Sequence, residues 1–309
     1  MTNPTRNQQS DLRQHPVPLF RRVATVLEMI KFQHTLFALP FALIAMLLAA
    51  RDWPAPGTRL PSWRVFLLIV VAAYAARSAA MAFNRLADLD QDRANPRTRS
   101  RALPAGLLTP RFVWVFLLLH VALFVAAAYL LNPLAFALAP VALAVVLGYS
   151  YMKRFTYLTH FVLGLALAIA PVGAWIAVRG ALDARPIVLA LAVLFWTAGF
   201  DIIYACQDYA FDVAHGVQSI PARFGIARAL VVSAVLHALA WGVLLAFALL
   251  APAGPAFAAG LAFVGVLLVY QHWIVRPNDL SRVNVAFFTV NGFVGIVLLS
   301  CFFIDLWIG

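Results

Sequence analysis

Of the 12 acidic residues in this 309-residue chain, six (Asp88, Asp90, Asp92, Asp201, Asp208 and Asp212) fall in two short stretches. On a helix advancing ~100° per residue, Arg77, Asn84, Asp88 and Asp92 share one face within an arc of roughly 80°. Asp201, Tyr204, Asp208 and Asp212 do the same, and Asp90 points elsewhere. Carboxylates one helical turn apart repel unless a cation lies between them. Hard oxygen donors of this kind suit Mg²⁺, held through one or two carboxylates per helix with sites left for water and phosphate oxygens.

Cations stand beside both stripes. Arg93, Arg97, Arg99 and Arg101 put four arginines into nine residues directly after the first, and Lys153 and Arg154 follow Tyr149 at the end of a later apolar run. Guanidinium and ammonium groups would bind the same phosphate oxygens. A diphosphate becomes a good leaving group once its developing charge is neutralised in this way. If it is carried by an allylic isoprenoid, its departure leaves a delocalised carbocation that an electron-rich aromatic ring can attack. Arg77 lies near the middle of an apolar run, where a guanidinium is costly unless it faces a polar cavity and pairs with an anion. Its planar fork suits a substrate carboxylate.

The elements that must carry these residues are membrane spans. The chain is 64% hydrophobic and 11% charged, with a mean hydropathy of +0.89. That leaves too little polar surface to cover a water-soluble globule. Nine runs are long enough to cross ~30 Å of hydrocarbon: 24–50, 63–90, 111–131, 133–152, 157–178, 185–207, 226–250, 253–275 and 284–306. The expected fold is all-α, a polytopic bundle of nine transmembrane helices over 21–309, preceded by a polar N-terminal arm over 1–20. No removable signal peptide is expected, because the arm lacks an apolar core followed by a small-residue cleavage site.

A net charge of +11 could suggest nucleic acid, but its distribution follows topology. Of 23 Lys and Arg, 17 lie in the N-terminal arm and the loops after spans two, four, six and eight. Five lie in the loops after spans one and five, and the last is Arg77. The positive-inside rule then puts the N-terminus and both carboxylate stripes in the cytoplasm and the C-terminus outside. Arg21, Arg22 and Lys31 are expected at the lipid headgroups. His34, Cys206, Cys301, His237, His272, Asn284 and Asn291 read as packing or boundary residues, with His34 retaining a functional option. The matching helix-end carboxylates of spans two and six hint at a weak internal duplication. A secondary transporter is the alternative from another class, since intramembrane aspartates also mark ion paths. Against it, the acidic pairs sit at helix ends on one face and form no chain across the bilayer.

At these residues the sequence resembles the UbiA superfamily of membrane prenyltransferases over nearly its whole length. The family's Asn-Asp-x-x-Asp-x-x-x-Asp motif is similar to Asn84, Asp88 and Asp92, with Arg85 replacing the first aspartate. Its Asp-x-x-Tyr-x-x-x-Asp-x-x-x-Asp motif is similar to Asp201, Tyr204, Asp208 and Asp212, and its Tyr-x-x-x-Lys-Arg segment to Tyr149, Lys153 and Arg154. Leu-Pro-Ala-Gly at 103–106 and Ser-Ile-Pro-Ala-Arg-Phe-Gly at 219–225 resemble the 4-hydroxybenzoate polyprenyltransferase-like group, in which Arg77 matches an arginine associated with the acceptor carboxylate. Pro96 stands where that branch often has Lys, so the diphosphate would rely on Arg97 or Arg101.

The resemblance implies Mg²⁺ held by Asp88, Asp92, Asp208 and Asp212, supported by Asn84 and Asp201. It further implies polyprenyl diphosphate and a small aromatic acid as substrates, and a place in the bacterial cytoplasmic (inner) membrane. The activity implied is prenyl transfer in ubiquinone or menaquinone biosynthesis, or on an aromatic acid of the futalosine route. No obligate protein partner is evident.

Overall fold

Without water to satisfy them, the backbone N–H and C=O groups of long apolar stretches must pair internally, which selects helices. The computed structural model describes residues 35–251 and 253–308, and among them there is no strand. The polar arm, Arg21, Arg22, Lys31 and His34 lie outside the described residues. In chain order the helices are α1 (Thr35–Ala50), α2 (Trp63–Ala87), α3 (Leu89–Ala94), α4 (Pro110–Leu131), α5 (Pro133–Met152) and α6 (Thr159–Arg179). They continue with α7 (Ala184–Ala205), α8 (Tyr209–His215), α9 (Ile220–Phe224), α10 (Ile226–Leu250), α11 (Pro255–Ile274) and α12 (Asn291–Ile308). Among the described residues, eight helical stretches are long and apolar enough to span a bilayer, and α1 is a shorter apolar helix at the place of the first expected span. Large apolar side chains such as Leu118, Leu119, Leu249, Val269 and Trp273 face outward. This is an integral membrane protein.

Local chemistry sets the helix ends. Asn132 alone joins α4 to α5. Its side chain accepts the Ala135 N–H at 2.9 Å and donates to Ile176 O, at the end of α6, at 2.8 Å. Gly180, at φ +65°, closes α6 in the left-handed conformation that glycine adopts without cost. Helices α6 and α7 cross so closely that a Cβ on Gly164 would stand 2.4 Å from Leu194 O. Trp196 of α7 sits in the core, its indole N–H donating to Asn291 Oδ1 at 2.9 Å. His237 bonds to Trp196 O, His272 and Gln271. These polar residues pin helices together, in line with the packing role expected for His237, His272 and Asn291.

The arginines at the end opposite the carboxylates have a structural use that the charge count does not show. Arg64 donates to Leu130 O at 2.5 Å, and Arg179 to Ala49 O at 2.6 Å and Arg51 O at 3.1 Å. They satisfy carbonyls left open at helix C-termini, where cations are favoured.

At that same end Asp305 of α12 crosses to the start of α11 and accepts from Gly254, Ala256 and Phe257 N–H at 2.9, 3.0 and 2.7 Å. Asp305→Ala strands these buried donors, at a cost of about 3 kcal/mol. Thermal unfolding in detergent should show Tm lower by roughly 5–10 °C. An unchanged Tm would show that the cap contributes nothing.

Candidate active site

Both carboxylate stripes lie where a long helix breaks, rather than on one continuous helix as the sequence led us to expect. Asp88 ends α2 and begins α3 at φ −96°, ψ 6°. Asp208 ends the 3-10 turn Cys206–Asp208 after α7 and begins α8 at φ −97°, ψ 4°. These near-identical bends correct the expectation that span two runs unbroken to residue 90. The spacing of four survives the first bend because Asp88 N still bonds Asn84 O (2.9 Å) and Asp92 N bonds Asp88 O (2.7 Å). A short helix follows each bend, α3 after Asp88 and α8 after Asp208. The matched geometry strengthens the hint of internal duplication.

In the first stripe Asn84 Nδ2 and Lys153 Nζ both approach Asp88 Oδ2, at 2.9 and 2.7 Å. Asp88 Oδ1 is buried with no hydrogen-bond partner. Asp92, also buried, takes Arg101 Nη1 on both oxygens at 2.8 and 3.0 Å, and Arg85 Nη1 lies 3.9 Å away. Thr98 Oγ1 donates to Asp92 O at 3.1 Å, tying down the loop that brings Arg101 back.

The same loop joins the two stripes. Asn95 Nδ2 donates to Asp208 Oδ1 at 3.0 Å, Arg97 Nε to the same oxygen at 2.8 Å, and Arg97 Nη2 to Asp208 Oδ2. Arg97 Nη1 reaches Tyr204 Oη at 3.1 Å. Burial lowers the pKa of the Arg97 guanidinium, but the hydrogen bonds and charge of Asp208 and Tyr204 outweigh it and hold the group above its ordinary value. Asp212 accepts from Ser219 Oγ at 2.9 Å, and Asp201 Oδ2 lies 2.7 Å from His160 Nδ1. Gln218 N donates to Lys153 O at 2.8 Å, so the loops after α5 and α8 are joined too.

Towards the bundle interior a cavity of about 530 Å³ runs between α1, α2, α4, α5, α6 and α7. Its wall is almost wholly apolar, with alanine the commonest residue, and it has Arg77 and Tyr149 at the carboxylate end and Leu131, Ile176 and Ala177 at the other. Arg77 makes no ion pair among the described residues, and its Nε is buried with no hydrogen-bond partner. Beside the site, the π-helical turn Val285–Val290 brings Phe287 against Tyr204, with ring centroids 4.2 Å apart. A π turn shifts the residues after it around the helix, which re-aims a side chain.

Asn84, Asp88, Asp92, Lys153, Arg97, Arg101, Asp201, Tyr204, Asp208 and Asp212 are therefore gathered at one end of the bundle, with Arg77 at the cavity. Arg154 is not drawn into the cluster. It is exposed, lies over the Tyr151 ring and donates to Ala87 O at the end of α2. Asp90 is exposed and, among the described residues, meets only Arg93, at 3.4 Å. Three contacts were not foreseen from the sequence: Asn95, His160 and Ser219. Asn95-Pro96 is a turn signal, and Ser219 stands at the N-cap of α9, where its Oγ accepts the Ala222 N–H at 3.2 Å. His160 carries no local signal.

The protein's own cations pair with carboxylate oxygens that the sequence assigned to a metal. Among the described residues no three acidic, histidine or cysteine side chains converge into a ready cage. The donor set nonetheless fits a hard divalent ion. It is all oxygen, and Asp88 Oδ1 is a buried acceptor with nothing to accept.

Helices of membrane-spanning length thus carry two joined carboxylate and cation clusters at one end of an apolar cavity. The chain belongs to the UbiA prenyltransferase family, whose model matches residues 38–295. It is thus a prenyltransferase, which sets aside the transporter alternative. It is 33% identical to a 4-hydroxybenzoate octaprenyltransferase of Vibrio vulnificus over 255 residues, 82% of this chain and 88% of that protein. A second 4-hydroxybenzoate octaprenyltransferase, from Saccharophagus degradans, is also 33% identical, over 80% and 82%. The apo structure of a UbiA homolog from Aeropyrum pernix superposes with a TM-score of 0.79 at 31% identity, covering 88% of this chain and 98% of that one. A UbiA homolog from Archaeoglobus fulgidus bound to GPP and Mg²⁺ shares the fold, with a TM-score of 0.70 at 21% identity over 92% and 99%.

Proposed function

We propose that this enzyme transfers a polyprenyl group from polyprenyl diphosphate to a ring carbon of a small aromatic acid, 4-hydroxybenzoate or a relative, in ubiquinone or menaquinone biosynthesis. The observation that carries the reading is the junction of the two stripes, in which Asn95 and Arg97 from the first-stripe loop bind Asp208 of the second. The names of the bacterial relatives and the GPP and Mg²⁺ bound by the archaeal homolog favour the same chemistry.

Asp88, Asp92, Asp208 and Asp212 would hold Mg²⁺, with Asn84 supporting. The ion would supply Lewis-acid neutralisation of the leaving diphosphate. Lys153, Arg97 and Arg101, paired here with Asp88, Asp208 and Asp92, are the cations that would bind diphosphate oxygens. The bond between the first prenyl carbon and the diphosphate oxygen breaks, and its electron pair leaves with the diphosphate. Tyr204, backed by Phe287, offers a ring face to the allylic cation. The acceptor ring forms the new carbon–carbon bond and then loses its ring proton to the released diphosphate. Arg77 binds the acceptor carboxylate and the apolar cavity takes the prenyl chain out of water's reach; Asp201, with no Lys or Arg partner among the described residues and close to Tyr149 of the cavity wall, is assigned to the acceptor hydroxyl rather than to support of Mg²⁺. Arg154 contributes charge at the rim. We place the carboxylate end at the cytoplasmic face of a bacterial inner membrane, a reading supported by the excess of Lys and Arg in the loops at that end.

A futalosine-route acid satisfies the same carboxylate site by the same mechanism. Mass analysis of products formed from one polyprenyl diphosphate and a panel of aromatic acids distinguishes the two. Prenylated 4-hydroxybenzoate is the expected product. Products only from other carboxylated rings select the second reading, and no prenylated acid at all removes both.

A further inference from the structure

His160 is almost fully buried at the start of α6, and both of its ring nitrogens are used. Ile220 N–H donates to Nε2 at 3.3 Å. With that lone pair taken, the ring N–H sits on Nδ1 and donates to Asp201 Oδ2 at 2.7 Å. The residue before Ile220 is Ser219, whose hydroxyl donates to Asp212 Oδ2 at 2.9 Å. One dipeptide at the start of α9 therefore holds two carboxylates of the second stripe, Asp212 directly and Asp201 through an imidazole. Asp201 has no Lys or Arg partner among the described residues, unlike Asp88, Asp92 and Asp208. It lies within electrostatic range of Tyr149, which lines the cavity together with Arg77.

We infer that His160 is a positioning residue for the acceptor: it fixes one oxygen of Asp201 so that the other is presented to the acceptor hydroxyl, with the Ser219-Ile220 peptide as the strut that fixes His160 in turn. This rests on the reading of Asp201 as an acceptor-facing group. A carboxylate held on one side by a fixed donor loses rotamer freedom in advance, so less is lost when the acceptor binds. Among the described residues the other buried histidine on the transmembrane helices, His237, meets only backbone, His272 and Gln271, which makes it the appropriate comparison.

The test uses the full-length enzyme in membranes with 4-hydroxybenzoate and geranyl diphosphate, varying each in turn. His160→Ala is expected to lower kcat/KM for 4-hydroxybenzoate by about 10- to 100-fold, as loss of an orienting partner does elsewhere. KM for geranyl diphosphate should change by less than about threefold. His160→Asn, whose amide can still donate to Asp201, should recover most of the loss, and His160→Leu should not. In the Asp201→Asn background His160→Ala should have little further effect, since both act on one contact. His237→Asn should lower Tm in detergent without a selective change for the acceptor.

Equal effects of His160→Ala on both substrates, additivity with Asp201→Asn, or no difference between the Asn and Leu variants would each overturn the inference. If His160→Ala does not fold, the Asn and Leu pair decides it. Full activity of Asp201→Asn would instead remove the underlying reading of Asp201, a separate and recognisable failure.

Discussion

Asp88→Asn should reduce prenyl transfer by about 10³-fold, equivalent to about 4 kcal/mol of lost transition-state stabilisation. The carboxylate is nearly isosteric with the amide, so packing at the α2–α3 bend is kept while the charge is lost. Two consequences combine. The orphaned Oδ1 no longer offers a metal a charged oxygen, and Lys153, 2.7 Å from Oδ2, loses its counter-ion. Because Asp208 occupies the matching bend, Asp208→Asn should be as severe. Rates measured in membranes with and without Mg²⁺ should show little residual metal dependence in either variant. Full activity in one of them would remove the metal–diphosphate mechanism.

Arg77→Leu should separate function from stability. Removing one partner of a buried, hydrogen-bonded charge pair costs about 2–5 kcal/mol, so KM for 4-hydroxybenzoate should rise by about 10²-fold while KM for geranyl diphosphate stays near its original value. Without substrate, Arg77 is a cation lining an apolar cavity, with its Nε unpartnered. Replacing an uncompensated buried charge by an apolar group should leave Tm unchanged or raise it. A variant with unaltered acceptor KM, or one that unfolds, would show that Arg77 pairs within the protein rather than with a substrate.

Hydropathy alone located the spans because a bilayer permits so little else than helices, and the period of four brought each pair of aspartates to one face. The bends at Asp88 and Asp208 were not legible. Neither Leu-Ala-Asp-Leu nor Gln-Asp-Tyr contains a glycine or proline to mark a break. The partners of the aspartates were hidden for a different reason. Arg97 and Asp208 are 111 residues apart, and His160 and Asp201 are 41 apart, separations at which local periodicity carries no information. The basic loop after the first stripe was expected beside the aspartates as a diphosphate binder; Arg97 and Arg101 stand on Asp208 and Asp92, and their role toward diphosphate belongs to the proposal. Which arginine meets which carboxylate depended on the turn at Asn95-Pro96. The pair Lys153 and Arg154 looked equivalent in sequence, yet one faces Asp88 and its neighbour turns to a helix-end carbonyl, since adjacent residues leave a turn in different directions.

Equilibrium binding of geranyl diphosphate to the purified protein, titrated with Mg²⁺, addresses the joining of the two stripes into one diphosphate site without requiring the acceptor. Binding to the unmodified protein should tighten with Mg²⁺, and that tightening should be lost in both Asp88→Asn and Asp208→Asn. Retention of Mg²⁺-enhanced binding in either variant would mean that the two stripes do not act on the same diphosphate.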